Sequence, residues 1–171
     1  MKFKYLTAIC ALVSSFSYAD VCSLSVGAKK GDTFNGPTSC STGSMGSFGV
    51  NGPLQIDGTK ITGKLTINGP LTANKANVNN LVIKGPTTAT DSQFKTINAH
   101  GPVILTDSKV DSILMPGPDH LDLEKICLNG KTMVKNITVK SGKGVIYKQI
   151  EAKISGKVSG AVVKPYAADE C

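Results

Sequence analysis

Arginine is absent from this chain, so all 19 basic residues are lysine. Guanidinium is the usual fork for bidentate contacts to phosphate, carboxylate and guanine, and a chain without it is poorly equipped for those contacts. Tryptophan is absent too, and aromatic residues make up only 5% of the sequence. That leaves few platforms on which bases or sugar rings can stack. Together these two absences argue against a nucleic-acid partner. There are only two histidines. Gly-x-Ser-x-Gly, His-Glu-x-x-His and Cys-x-x-Cys motifs are all missing. Gly130-Lys131-Thr132 resembles the end of a phosphate loop, but the leading glycine of that motif falls on Lys125. Beyond residue 19 no apolar run approaches the 18 residues of a transmembrane helix. No cofactor is expected, and the chain is read as non-catalytic.

What is present is small, turn-forming and polar. The 171 residues fit one domain. With 40% hydrophobic and 18% charged residues the composition is that of a folded protein, neither a disordered tail nor a membrane bundle. Eighteen Gly and eight Pro imply many tight corners. The net charge of +7 favours acidic partners, through screened and nonspecific attraction.

Residues 1–19 read as a signal peptide. Lys2 and Lys4 form a positive start, Leu6 to Val13 a short apolar stretch, and Ser17-Tyr18-Ala19 a small-residue cleavage site before Asp20. The expected destination is therefore outside the cytoplasm: periplasm, cell surface or medium. Four cysteines follow, Cys22, Cys40, Cys127 and Cys171, an even count that suits disulfides in an exported chain.

The strongest signal is a repeat. Gly-Pro occurs at Gly36-Pro37, Gly52-Pro53, Gly69-Pro70, Gly85-Pro86, Gly101-Pro102 and Gly117-Pro118, at a spacing of about 16 residues. A glycine there takes a positive φ at little cost, and proline sets the exit direction. We count from the residue before each Gly-Pro as position one. Position six then reads Cys40, Ile56, Ala73, Ala89, Leu105, Leu121, and position eleven reads Met45, Ile61, Val78, Phe94, Val110, Ile126. Position fourteen gives Phe48, Leu65, Leu81, Ile97 and Ile113, and the last position Val50, Ile67, Ile83, Ala99 and Met115. Apolar columns separated by Asn, Asp, Thr, Ser and Lys describe short strands joined by corners.

This period predicts an all-β parallel β-helix, a solenoid of 16-residue coils with capped ends, and right-handed is the expected hand. The domain expectation is a cap over 20–34, repeats over 35–131, and irregular coils or a cap over 132–171. Coils stack about 4.8 Å apart. Cys40 and Cys127 are then separated by roughly 25 Å, far beyond the ~7 Å Cα reach of a disulfide. The expected pairs are therefore Cys22 with Cys40 and Cys127 with Cys171, one staple at each end.

Candidate sites are few. Asp91 and Asp107 share position eight in adjacent coils, where their carboxylates could hold Ca²⁺ or act as a hydrolytic pair. Asp119, His120, Asp122 and Glu124 form the densest acidic cluster, with Asp122 and Glu124 expected on a solvated face. His100 is expected as a solvated corner residue. Lys60, Lys109 and Lys125 are assigned to position ten, and the lysines serve solubility or attract an acidic polysaccharide or cell surface.

The Gly-Pro corners and apolar columns from Asn35 to Met115 resemble bactofilin-type polymerising β-helices and the β-solenoid heads of bacterial adhesins. That resemblance implies function through surfaces or ends rather than through a catalytic set. Bactofilins are intracellular, whereas the signal peptide and cysteines here point to an exported role. The expectation is a structural or adhesive protein of a bacterial envelope or matrix, acting through a rigid face or by end-to-end association with itself. A small secreted carbohydrate-binding or carbohydrate-active protein is the alternative.

Overall fold

Among the described residues every strand pairing is parallel and no helix occurs, and the strands stack as a β-solenoid of about eight turns. The structure is a computed structural model that describes residues 19–20, 31–117 and 124–171. The expected signal segment up to residue 18, Cys22 and the cluster Asp119, His120 and Asp122 lie outside those residues, as does Leu121. Strand β1 (Ala19–Asp20) pairs with Thr38–Ser39, and β2 (Thr33–Asn35) pairs with Gly49–Asn51. The first coil carries β3 (Thr38–Met45) and β4 (Phe48–Asn51), and the second is one long strand, β5 (Leu54–Asn68). The next three coils repeat one plan: β6 (Leu71–Asn74) with β7 (Asn77–Ile83), β8 (Thr87–Thr90) with β9 (Gln93–Ala99), and β10 (Val103–Thr106) with β11 (Lys109–Met115).

The sequence dictates a three-sided coil. In β9 the inward residues are Phe94, Ile97 and Ala99, so two consecutive outward residues, Lys95 and Thr96, bend the strand between them. β7 and β11 have the same bend. The first side is then positions four to seven, and the second and third sides lie before and after the bend. Each inward column is continuous. Ile56, Ile61, Leu65, Ile67, Leu81, Ile83, Leu105 and Ile113 are fully buried, each contributing about 1.5–3 kcal/mol of apolar burial. Between Asn51 and Asn68 there is one residue more than a regular coil. It is absorbed by a bulge between Ile61 and Lys64, after which Leu65 returns to its column between Phe48 and Leu81.

The glycine corners are tighter than their sequence suggests. Gly36, Gly52, Gly69 and Gly117 have positive φ, as expected, but Gly85 and Gly101 do not. Their requirement is space. A Cβ on Gly52, Gly85 or Gly101 would lie 2.5–2.7 Å from the carbonyl oxygen of the glycine one coil before.

A second corner sits at position eight, where Thr42, Gly58, Lys75, Asp91 and Asp107 all have φ between 48° and 58°. Left-handed backbone leaves amides unpaired within the coil, and buried hydroxyls at the next position receive them. Ser92 Oγ donates to Thr90 O (2.8 Å) and accepts from Ala76 N (3.1 Å). Ser108 Oγ donates to Thr106 O (2.8 Å) and accepts from Ser92 N (3.1 Å). Thr132 Oγ1 donates to Asn129 O (2.6 Å) and accepts from Ser108 N (3.3 Å). All three side chains are buried, so the ladder satisfies amides that water cannot reach.

After Met115 the register changes. Position six was expected to continue to Leu121 and position eleven to Ile126. Instead Ile126 stacks on Val103 in position four, Leu128 on Leu105, and Val134 on Val110. The cause is an insertion: Asp107 and Lys131, joined across this step, are 24 residues apart, whereas Ser92 and Ser108 are 16 apart. β12 (Lys125–Asn129) and β13 (Met133–Val139) form the coil that resumes the stack. Lys125 therefore does not share a column with Lys60 and Lys109; Met133 follows Lys109 there, and is exposed.

β14 (Gly144–Lys148), β15 (Lys153–Ile154) and β16 (Val158–Ser159) make a further coil, and β17 (Ala161–Pro165) closes the stack against β14. Lys148 occupies the position-six column, with its ammonium on the carbonyls of Gln149 (3.1 Å) and Ala152 (2.8 Å). Ile150 is 98% exposed, outside any column. Cys127 and Cys171 form a disulfide with Cα atoms 6.0 Å apart, which lays the tail over the outward side of β12. Lys125 pairs with Glu170 there (3.3 Å).

Candidate functional site

Asp91 and Asp107 lie one coil apart, as their shared position requires, but the reason aspartate stands there is local. Asp tolerates left-handed backbone better than most residues, and both occupy that corner with φ of 50°. Asp107 is engaged with the next coil: its Oδ1 accepts the Lys131 amide at 2.8 Å, in the space that Gly130 leaves by having no Cβ. Asp57, beside the same corner, accepts from Asn74 Nδ2 at 2.9 Å.

Glu124 is half-buried rather than solvated. The inserted segment shifts it into the Gly-Pro corner column, where the Ser141 hydroxyl donates to its carboxylate. Burial pushes its pKa above the ordinary glutamate value. Cys40 is buried and disulfide-bonded; Cys22, its expected partner, lies outside the described residues. Among the described residues no three His, Cys, Asp or Glu side chains converge.

The outward rows carry the surface chemistry. At position one, Asn51 Nδ2 donates to Asn35 Oδ1 (2.9 Å) and Asn68 Nδ2 to Asn51 Oδ1 (2.7 Å), making an amide ladder along one corner. Lys84 and half-buried His100 continue that column. On the third side, positions thirteen and fifteen form a shallow groove. Asn80, Thr96, Asn98 and Ser112 line it with amides and hydroxyls, Val82 and Leu114 add apolar surface, and Lys64 stands at one end. Thr96 Oγ1 donates to Asn80 Oδ1 at 2.9 Å, fixing both side chains. A second concavity, lined by Thr33, Ser47, Gly49 and Thr66, continues the groove past Lys64 toward the first coils. No carboxylate lines either stretch. Sequence reasoning missed this groove because it followed charged and apolar columns. The available signal was the reverse: two outward rows, Ser47 to Ser112 and Gly49 to Leu114, without a single acid.

No protein-family model, no curated protein and no solved structure matches this chain.

Proposed function

We propose that the protein is an exported, non-catalytic structural or adhesive solenoid of a bacterial envelope or secreted matrix, acting through one rigid side. The observation that carries this reading is the acid-free groove, whose outward rows are held in register by strand pairing from the first coil to the fifth. A side built on ladder hydrogen bonds keeps its shape without a ligand, so little ordering entropy is lost on contact.

The carboxyl-terminal end is less suited to association. Tyr166 N–H donates to Lys148 O (3.1 Å) and Gly160 O accepts from Gly144 N–H (3.1 Å), so alternate residues of β17 bond to β14 and Val163 and Pro165 face the open edge. Proline offers that edge no donor, a common way to blunt a strand. The roles considered for Asp91 and Asp107 are not needed in this reading.

Light scattering and electron microscopy of the oxidised, exported protein across a concentration series test the proposal. A monomeric rod that adheres to envelope material at every concentration is the expected result. Concentration-dependent filaments would replace the side with the ends as the working surface. Loss of adhesion in the Asp91→Asn, Asp107→Asn double variant would move the function to the carboxylates.

A further inference from the structure

We propose that the groove on the third side binds a linear acidic polysaccharide laid along the solenoid axis. This rests on the rigid-side reading above and names its ligand class. Three features converge. The first is repeat length. Equivalent positions on successive coils recur about every 4.8 Å, close to the length of one sugar unit in an extended glycan, so successive sugars meet successive coils in the same way.

The second feature is the chemistry of the lining. Thr96, Asn98 and Ser112 offer hydroxyl and amide groups to sugar hydroxyls, while Val82 and Leu114 offer apolar surface to the C–H face of a ring. No aromatic residue lines this stretch, so each sugar is held weakly and affinity accumulates over several coils.

Charge is the third. Lys64 stands in the groove, Lys84 on the Gly-Pro corner at one rim and Lys95 at the bend on the other, all exposed. Asp111, one coil beyond Lys95, is the acidic residue at that bend, and no acid lines the floor. The first side differs, because Asp57, Asp91 and Asp107 border it. A carboxylated or sulfated chain is therefore favoured on the third side over the first. The second side also carries exposed Lys60 and Lys109, and the groove lining is what distinguishes the third side from it. With lysine in place of arginine the attraction is between point charges, and it weakens steeply with salt.

The test is retention and titration of the oxidised protein on polygalacturonate, with dextran as the neutral polymer. Two substitutions carry the same charge change to different sides. Val82→Glu places a carboxylate in the groove, and Gln93→Glu places one on the exposed second side. Lys64→Ala, at an exposed side chain, serves as a further groove variant that leaves the core untouched.

The expected result is salt-sensitive binding to polygalacturonate and little to dextran. Val82→Glu is expected to weaken binding by about tenfold or more, Lys64→Ala by about threefold, and Gln93→Glu by less than about twofold. Equal losses in Val82→Glu and Gln93→Glu would overturn the groove in favour of general attraction, and equal binding to dextran would overturn the acidic ligand. Adhesion to envelope material is measured alongside. If it persists without polygalacturonate binding, this inference falls and the rigid-side reading stands; if both are absent, both fall.

Discussion

From Asn35 to Met115 the coils repeat one backbone plan, whereas from Glu124 onward the strand pairing continues on irregular coils that add charged side-chain contacts and the Cys127–Cys171 disulfide. In the first region glycine corners nest at distances that admit no Cβ, and every inward column is apolar apart from the hydroxyl ladder and a few threonines. In the second region Glu124 stands in the glycine column, Lys148 enters a core column, and Cys127–Cys171 ties down the tail. A repeating stack gains stability from each neighbour it covers. The final strands, β15 to β17, have a neighbour on one side only, and the disulfide adds an attachment near that end.

The sharpest way to break this contrast is to remove the covalent tie. Cys171→Ser opens a link between residues separated by 44 positions, which the chain-entropy account values at about 4 kcal/mol. The loss should be local. Hydrogen exchange is expected to accelerate in β12 and β14 while β7 and β9 stay protected; uniform acceleration would mean that both regions share one unfolding unit.

Within the regular region the glycine corner is the corresponding weak point. Gly85→Ala should cost about 3 kcal/mol in urea denaturation, because the new methyl group meets the Gly69 carbonyl at 2.5 Å. Gly117→Ala has open space around it and only a φ of +120° to strain, so about 1 kcal/mol is expected. Equal costs would show that dihedral strain, not nesting, selects glycine.

Next in size is the buried hydroxyl ladder. Ser108→Ala leaves the Ser92 amide without its acceptor, a loss of about 2 kcal/mol, measured by the same denaturation. A change below about 0.5 kcal/mol would mean that water or a backbone carbonyl takes over the amide.

The smallest effect belongs to Glu124. Its pKa is raised by burial, so the folded state disfavours the charged form. Its contribution is best below the ordinary glutamate value and declines as pH rises through the raised one. Glu124→Gln removes this dependence and can still accept from Ser141. Thermal midpoints should agree near pH 4, with the variant more stable by up to about 0.5 kcal/mol at pH 7. A variant less stable at pH 7 would assign the charge a favourable partner.

Period, corners and inward columns up to Met115 were legible because each coil repeats the same choices, and six Gly-Pro pairs set the frame. The placement of Cys127 beside Cys171 followed from the same stacking arithmetic. Ile126 was misplaced because Gly117-Pro118 looks like another corner while opening an insertion, and a repeat count cannot tell the two apart. The hydroxyl ladder was invisible because Thr59, Ser92 and Ser108 read as unremarkable polar residues in a column that also holds Ala76. Its meaning depends on the left-handed residue before each of them, which is not a glycine at Lys75, Asp91 or Asp107. The groove was hidden for a related reason, since absence of acid in two interleaved rows shows only after the coil is closed into three sides.

The nested corners also bear on how such a chain can change over generations. Because Gly69, Gly85 and Gly101 meet one another through similar backbone contacts, the span from one corner to the next is an interchangeable module. An in-frame duplication of residues 85–100 would present each neighbour with the ladder it already has, and a deletion of the same span would close without a seam. Rod length, and with it the number of groove positions, is thereby open to inheritance by whole steps, while a gain or loss of a few residues must be hidden in a bulge such as the one at Ile61–Lys64.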